Sequence, residues 1–112
     1  MVKNKYIPDA GDLIWIDFDP TKGREQGRLR PALVLSSKLY NKKSSLIVVC
    51  PVTSKSKGYP FEVVCNTKKI SGVILSDQIR TIDWNARPIQ FISKSPSRVL
   101  EDVRSRLNQL IF

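Results

Sequence analysis

Short apolar runs separated by polar turns make up most of the chain. Residues 12–18 alternate between two sets of side chains in a way that is typical of a strand covered on both faces, and residues 32–35 and 46–52 are continuous apolar runs of strand length. Further short strands are predicted at residues 61–65, 72–75 and 78–83. Because these strands follow one another at close spacing, we expect a small β-barrel.

A single short helical turn is predicted between the second and third of these strands. It begins at Ser37, whose side chain suits a helix cap, and it ends at Lys43. Leu39 and Tyr40 are its only apolar residues, so we expect them to anchor it to the body of the protein.

The last segment changes from strand to helical periodicity. Ser95 is predicted to cap a helix with Pro96 in its first position. The apolar stripe of this helix consists of Val99, Val103, Leu107, Leu110 and Ile111, and Arg98, Arg104 and Arg106 lie off it, either as a solvated face or as RNA contacts. We therefore expect one domain over residues 1–112, mainly β with α: a small barrel with short helices and a C-terminal amphipathic helix.

The charge of the chain is strongly one-sided. Nineteen Lys and Arg residues against ten Asp and Glu residues give a formal net charge of +9. These cations are spread along the sequence without a basic run, so the positive field belongs to the folded body. Such a field attracts polyanions and favours nucleic acid as the partner, and the alternative is a basic domain with no such partner.

Several function classes are disfavoured by the side chains that are present. The chain has no histidine, and Cys50 and Cys65 lie in apolar stretches that are typical of core residues. These residues cannot form a common zinc site, and we expect neither a metal nor a cofactor. No apolar run approaches the ~18 residues of a membrane span, and no signal-peptide core follows the first residues, so we expect a cytoplasmic protein without a membrane partner.

Three polar clusters interrupt the apolar pattern at predicted strand ends. The loop of residues 19–30 places four cations around Glu25 and contains two glycines, a composition that suits phosphate binding. The other clusters are residues 53–55 and 76–78. Small barrels display binding sites at strand ends, although each cluster by itself is also ordinary turn chemistry.

Together the clusters contain the parts of a ribonuclease that needs no metal. RNA can be cleaved by its own 2′-hydroxyl, so the protein must position the chain, accept a proton, stabilise charge on phosphorus and assist the departing oxygen. Arg30 suits charge stabilisation because its planar guanidinium matches phosphate oxygens and stays charged. Thr53 supplies a neutral hydroxyl donor. Glu25 is either the general base or a salt-bridge partner of Arg24 or Arg28.

The order of several motifs gives the chain a specific family resemblance. The motifs are Gly11-Asp12-Leu13-Ile14-Trp15, Asp19-Pro20-Thr21-Lys22-Gly23, Glu25-Gln26, Arg30-Pro31-Ala32-Leu33-Val34-Leu35, Pro51-Val52-Thr53-Ser54, Gly58-Tyr59-Pro60-Phe61 and Asp77-Gln78-Ile79-Arg80. In this order they resemble the MazF branch of the MazF/PemK toxin family. The resemblance implies an SH3-like or CcdB-like barrel that forms a homodimer. It further implies a sequence-specific, ribosome-independent mRNA endoribonuclease of a type II toxin–antitoxin system. It also implies products with a 2′,3′-cyclic phosphate, sometimes opened to a 3′-phosphate, and a 5′-hydroxyl.

The same resemblance assigns the active residues. Arg30 of the Arg-Pro motif and Thr53 of the Pro-x-Thr motif are the implied catalytic pair, with the loop carboxylate as a further candidate. The PemK branch is similar but uses an arginine two residues before the aspartate of its Asp-Gln motif and a histidine in its first loop. Those positions hold Leu75 and Arg24 here, so Asp77 is expected to have a binding or structural role.

Further side chains are candidates for contact with single-stranded RNA, whose unstacked bases can be read at their edges. They are Lys22, Arg24, Gln26, Arg28, Asn41, Ser54, Lys55, Lys57, Tyr59, Asp77, Gln78, Arg80 and Arg87. Tyr59 either stacks on a base or packs beside Pro60.

The family resemblance also implies macromolecular partners. They are single-stranded mRNA, a second copy of the chain, and a MazE-like antitoxin whose acidic C-terminal segment covers the RNA groove. The toxin–antitoxin complex is expected to bind operator DNA through the antitoxin. A function from a different class stays open at this point, because a barrel of this kind can bind nucleic acid or a protein partner without cutting RNA.

Overall fold

The computed structural model describes residues 6–18 and 29–112. Within these ranges the chain forms seven strands and two helices. In chain order they are β1 (Asp12–Asp17), β2 (Leu29–Val34), α1 (Lys38–Ser44), β3 (Leu46–Thr53), β4 (Glu62–Asn66), β5 (Ser71–Leu75), β6 (Arg80–Asp83), β7 (Ile89–Lys94) and α2 (Ser97–Ile111). The predicted mainly β architecture with a C-terminal helix is confirmed.

The strands form one curled antiparallel sheet in the order β4-β5-β3-β2-β1-β7, and β6 pairs with β3 outside this path. The longest strand, β3, changes partners along its length. Its residues Leu46 to Val49 pair with β6, and Val52 and Thr53 at its end pair with β5. On its other side β3 pairs with β2. The sheet therefore turns around β3 and forms a half-barrel.

Alternation along the strands produces an apolar cluster on each face of the sheet. On β1 and β2, Leu13 and Leu33 contribute to one cluster, whereas Ile14 and Ala32 contribute to the other. Helix α2 covers the first cluster with Val99 and Val103, both of which are buried. The expected strand covered on both faces at β1 is thus observed, because both sets of its side chains pack against a core.

Strand β7 does not follow from the hydrophobic pattern. It pairs antiparallel with β1, and its register shifts between Leu13 and Ile14. Of its apolar residues only Ile92 is buried, while Phe91 is 44% exposed. A strand with so little apolar alternation leaves no clear signal in the sequence.

A buried carboxylate ties the chain segment before β1 to the end of β7. Asp12 accepts hydrogen bonds from the Tyr6 hydroxyl and, at 3.0 Å, from the Asp9 backbone N–H. The ammonium group of Lys94 lies 2.7 Å from the other carboxylate oxygen. This contact raises the pKa of Lys94, whereas burial is the main cause of the raised pKa of Tyr6. The ion pair offsets the cost of burying the Asp12 charge.

Helix α1 begins at the predicted cap but is anchored differently. The Ser37 hydroxyl accepts a hydrogen bond of 3.3 Å from the Tyr40 backbone N–H. Leu39 is 64% exposed and Tyr40 is 43% exposed, so the prediction that these two residues anchor the helix is wrong.

Asn41 is the residue of α1 that is fully buried. Its amide nitrogen donates to the carbonyl oxygens of Pro8 (2.8 Å) and Ser36 (3.1 Å), and its amide oxygen accepts from the Ser36 hydroxyl at 2.6 Å. The Trp84 indole N–H donates to the Asn41 carbonyl at 3.0 Å. A side chain in this position cannot reach RNA, so the prediction that Asn41 contacts RNA is wrong.

Helix α2 begins later than the sequence predicts. The Ser95 hydroxyl does not cap it but donates to the carbonyl of Gly11 at 2.7 Å, which joins this segment to the start of β1. Pro96 occupies the cap position, and its carbonyl accepts from the Val99 backbone N–H at 2.9 Å. The tertiary contact therefore takes the side chain that the local pattern assigns to the cap.

The predicted apolar stripe of α2 is buried only in its first half. Val99 and Val103 lie in the core, and Leu107 is partly buried against it. Leu110 is 49% exposed and Ile111 is 57% exposed. Among the described residues, no helix is long and apolar enough to cross a bilayer.

Replacing Asn41 with alanine is expected to lower the free energy of unfolding by about 2–4 kcal/mol, because a buried carbonyl of Pro8 then lacks its hydrogen-bond donor. Urea denaturation followed by circular dichroism measures this change. Asn66→Ala is the matched control, because Asn66 is an exposed amide on β4, and its cost should stay below about 1 kcal/mol. Equal effects of the two substitutions would contradict the anchoring role of Asn41.

Candidate active site

The register between β2 and β3 brings Arg30 and Thr53 to one end of the sheet. The two strands pair antiparallel with Ala32 opposite Pro51. Continued two residues beyond this last pair, the same register sets Arg30 opposite Thr53. Both residues line a cleft of about 570 Å³. The two side chains that the motifs predict to act together are thus neighbours in the fold.

Arg30 lies where an apolar row of the sheet gives way to polar side chains. Along β2 it lies on the same face as Ala32 and Val34, which are buried in the second core cluster. Across β1 it pairs with Ile16, another member of that cluster. Arg30 itself is exposed. The strands therefore fix its backbone rigidly while leaving its guanidinium accessible to a phosphate.

The position of Thr53 depends on a close approach of β5. Thr53 pairs with Val73, and a Cβ atom at the neighbouring Gly72 would lie 2.4 Å from the Thr53 carbonyl oxygen. Only glycine therefore permits this packing. The Thr53 hydroxyl accepts a hydrogen bond of 3.1 Å from the Lys55 backbone N–H. Because the hydroxyl acts as acceptor there, its own hydrogen can be donated to a ligand.

Two further cavities open beside Thr53. One of about 290 Å³, here called the loop pocket, is lined by Lys55, Lys57, Tyr59, Asp77 and Gln78 as well as Thr53. The other, of about 320 Å³, is lined by Arg30, Thr53, Gln78 and Arg80 among others. Ser54 lines the large cleft. The structure therefore gathers these predicted RNA-binding residues around Thr53, although their contact with RNA stays a prediction.

Two arginines predicted to contact RNA also hold the end of β1. Arg80 donates to the Phe18 carbonyl at 3.3 Å, and its guanidinium carbon lies 5.2 Å from the centroid of the Phe18 ring. Arg87 donates to the Asp17 carbonyl at 2.9 Å. These contacts fix the residues that lead into the first loop. They give both arginines a structural role, and phosphate contact by either one stays a prediction.

Residues 19–28 of the loop between β1 and β2 lie outside the described residues. The roles predicted for Lys22, Arg24, Glu25, Gln26 and Arg28 fall there, and they stay predictions from the sequence.

Glu62 was not singled out from the sequence, yet it organises one wall of the loop pocket. Its carboxylate accepts hydrogen bonds from the Ser56 hydroxyl (2.7 Å) and from the backbone N–H groups of Lys57 (2.9 Å) and Gly58 (3.1 Å). Its own N–H donates to the Tyr59 carbonyl at 3.1 Å. These donors, first that of Lys57, lower the pKa of Glu62. The sequence signal that could have pointed to Glu62 is its place as an acidic residue at the start of β4, shortly after the turn residues Ser56, Lys57 and Gly58.

Lys69 and Ser71 are further residues of the large cleft that the sequence motifs do not predict. The Lys69 ammonium group donates to the Ile92 carbonyl at 3.2 Å, which ties the turn between β4 and β5 to β7. Their only sequence signal was the polar stretch between two apolar strands, and that is equally typical of a plain turn.

Asp77 lies at the exposed corner of a tight turn. The Gln78 N–H donates to the Leu75 carbonyl at 3.0 Å and closes this turn. Beside it, Ser76 is buried, with its N–H 3.1 Å from the Phe61 carbonyl. The turn explains why polar residues occur at positions 76–78. The loop pocket, which Asp77 and Gln78 line, offers a second explanation, because these side chains are available to bind a ligand there.

The surroundings of Cys50 determine the reactivity of its thiol. Cys50 lies under the turn, with its sulfur 3.8 Å from the Ser76 carbonyl. Burial raises its pKa to about 12, with a smaller contribution from the charge of Asp77. In residues 6–18 and 29–112, no group of three or more His, Cys, Asp or Glu side chains is placed to hold a metal ion.

Comparison with known proteins places these features in a family. Residues 9–111 match the model of the PemK-like, MazF-like toxins of type II toxin–antitoxin systems. The chain belongs to this toxin family. It is 46% identical over 108 residues to the endoribonuclease toxin MazF of Escherichia coli strain K12, a match that covers 96% of this chain and 97% of that relative.

Solved MazF structures have the same fold. MazF from Deinococcus radiodurans superposes with a TM-score of 0.85 at 47% identity, covering 96% of this chain and 98% of the other. A MazE–MazF complex from the same organism also has a TM-score of 0.85, at 44% identity, covering 96% of this chain and 97% of the other. The predicted MazF-type fold, toxin family and enzyme class, an endoribonuclease, are thereby confirmed.

The buried Cys50 thiol is expected to be inert in the folded toxin. With a pKa of about 12 it should be thiolate in only about one molecule in ten thousand near pH 8. An aromatic disulfide reagent should therefore label neither cysteine of the native protein on a timescale of minutes. Denaturant should release both of the chain's two cysteines. Rapid labelling of Cys50 in the native state would contradict its burial.

Proposed function

We propose that this MazF-family toxin is a sequence-specific, ribosome-independent mRNA endoribonuclease that needs no metal ion. The observation that carries the proposal is the strand register that brings Arg30 and Thr53 to one cleft. The net charge of +9 supports it, because it favours capture of a polyanion. The family relatives named endoribonucleases support cutting over the alternative of binding without cleavage.

In the proposed reaction the RNA supplies its own nucleophile. The 2′-oxygen loses its proton and attacks the adjacent phosphorus, and the bond from phosphorus to the 5′-oxygen breaks. The products are a 2′,3′-cyclic phosphate, which water can open to a 3′-phosphate, and a 5′-hydroxyl. The Arg30 guanidinium stabilises the negative charge that develops on the phosphate oxygens, and the Thr53 hydroxyl donates a further hydrogen bond.

Glu25 is proposed as the group that accepts the 2′-hydroxyl proton. The support is its place in the glycine-containing loop that ends at Arg30, among cations that favour the ionised carboxylate. The same carboxyl group or a water molecule then protonates the departing 5′-oxygen, so the proton balance closes.

RNA selection is proposed to take place in the cavities around Thr53. Lys55, Lys57, Gln78 and Arg80 offer hydrogen-bond donors for bases and phosphates of an unpaired strand. Tyr59 is 59% exposed and lines the loop pocket, which favours base stacking over packing beside Pro60. A duplex would hide these base edges, so a single-stranded mRNA is the expected substrate.

The toxin is further proposed to act in the cytoplasm as a homodimer and to be neutralised by a MazE-like antitoxin. A complex of MazE with MazF is known from Deinococcus radiodurans. An acidic, flexible C-terminal segment would complement the basic surface and compete with RNA, and such binding should weaken as salt rises. Binding of the complex to operator DNA is proposed to occur through the antitoxin.

Purified toxin is expected to cut a long single-stranded RNA into discrete fragments with excess EDTA present. Sequencing of the 5′-hydroxyl ends identifies both the product chemistry and the motif. Arg30→Ala should lower kcat/KM by about 100- to 1,000-fold, because a charge-stabilising donor is lost, while the melting temperature changes little.

Arg98→Ala is the control for this substitution, because it removes the same charge from an exposed position on α2. Its effect on cleavage should be no more than a few-fold, through weaker electrostatic steering. If both variants lose the same activity, Arg30 acts only through net charge. If no RNA is cut by folded wild-type protein, the proposed function fails.

A homodimer predicts a mass of twice the 12.7 kDa chain in light scattering at micromolar concentration. The physical reason is the small size of the domain and the apolar residues that remain exposed on α2, such as Leu110 and Ile111. A monomer mass under the same conditions would contradict this assembly.

A further inference from the structure

We propose that Glu62 is a positioning residue for base recognition, which holds the loop of residues 56–60 in the shape that forms one wall of the loop pocket. This inference rests on the proposed RNA cleavage and deepens it. Glu62 is given no contact with the reacting phosphate, which Arg30 and Thr53 bind.

The contacts of Glu62 show an organiser of backbone. In a strongly basic chain, its carboxylate bonds to two backbone N–H groups and one hydroxyl of the loop, within 3.1 Å. Its own N–H bonds to the Tyr59 carbonyl, so four consecutive loop residues are fastened to one residue of β4. A carboxylate that accepts hydrogen bonds from several backbone N–H groups fixes the loop through its backbone. It does not need an ion pair with a lysine side chain of the loop to do so.

The fastened loop forms part of the loop pocket. Lys57 and Tyr59 come from the loop, and Asp77 and Gln78 come from the turn between β5 and β6. Thr53 lines both this pocket and the large cleft that contains Arg30. A displacement of the loop therefore changes the pocket that receives a base but leaves the strand register of Arg30 and Thr53 intact.

Two other features limit the shapes that the loop can take. Gly58 has a φ of 75°, a left-handed conformation that a glycine adopts readily. At the far end of the loop, the Arg106 guanidinium of α2 donates to the Pro60 carbonyl. The bend at Gly58 and the anchor at Pro60 therefore restrict the loop. The hydrogen bonds of Glu62 fix residues 56–59, which include two residues that line the loop pocket, Lys57 and Tyr59.

No residue of the loop 56–60 belongs to either core cluster. A change in the Glu62 side chain can therefore alter the loop while the core stays as it is. Glutamine at this position keeps the size of the side chain but replaces one acceptor oxygen with an amide donor. That donor faces loop N–H or hydroxyl groups that need an acceptor. At least one loop hydrogen bond is therefore weakened while the core packing is unchanged.

The test compares wild type and Glu62→Gln on an RNA with the preferred cleavage motif and on RNAs with one base of that motif changed. We expect kcat/KM on the preferred RNA to fall about 10- to 100-fold, as misplacement of a binding group by about 1 Å does. On the changed RNAs the loss should be only a few-fold. Discrimination between them should therefore fall by about tenfold.

Glu101→Gln is the matched control, because it removes the same charge from an exposed site on α2. It should leave kcat/KM and discrimination within about twofold of wild type. Gly58→Ala disturbs the same loop without touching the carboxylate. An added Cβ meets nothing within 4 Å, so its effect comes from strain at the positive φ. It should reduce discrimination in the same direction as Glu62→Gln.

Hydrogen exchange provides a readout that does not depend on cleavage. In Glu62→Gln the amides of Lys57 and Gly58 should exchange faster, while those of β1 and β3 stay protected. Unchanged discrimination in Glu62→Gln overturns the proposal, and so does an equal loss on every RNA, which would place Glu62 in the chemistry. A wild-type protein that cuts no RNA instead overturns the proposed function itself.

Discussion

The pairing of β3 with three neighbouring strands is the constraint on which the rest of the structure depends. Its first residues pair with β6, its middle pairs with β2, and Val52 and Thr53 at its end pair with β5. This change of partners bends the sheet and creates the space around Thr53. Because antiparallel pairing fixes residues one by one, the register that sets Ala32 opposite Pro51 also places Arg30 beside Thr53 when it is continued two residues further.

The sequence predicts the elements whose side chains follow the local rules and fails where a tertiary contact takes over. Apolar runs predict β1 to β6. Short motifs single out Arg30 and Thr53, which line one cleft in the fold and whose catalytic role stays a proposal. Asn41 was predicted to contact RNA, but its side chain is enclosed by two backbone carbonyls, those of Pro8 and Ser36, and by the Ser36 hydroxyl. Its own backbone carbonyl accepts a hydrogen bond from the Trp84 indole N–H. Ser95 fits a helix cap, yet the Gly11 carbonyl takes its hydroxyl. No local rule contains such contacts.

The candidate site divides into parts of different rigidity. Arg30 and Thr53 belong to paired strands with buried neighbours, so their separation is set by the core. The residues proposed to select bases lie on loops and turns, which are fixed by a few exposed hydrogen bonds such as those of Glu62. A change in a loop can therefore alter the RNA that is chosen without rebuilding the chemistry, which is the usual arrangement of a function supported by a scaffold.

Gly72 sets a steric limit on the packing of β5 against β3. Since a Cβ there would lie 2.4 Å from the Thr53 carbonyl oxygen, β5 approaches β3 more closely than any side chain at that position permits. A larger residue would have to push the two backbones apart, and the displaced backbone is the one that carries a proposed catalytic hydroxyl. A substitution at position 72 would thus disturb the proposed catalytic residue through steric contact alone. The backbone of β3 next to the cleft therefore keeps its position only while residue 72 is a glycine.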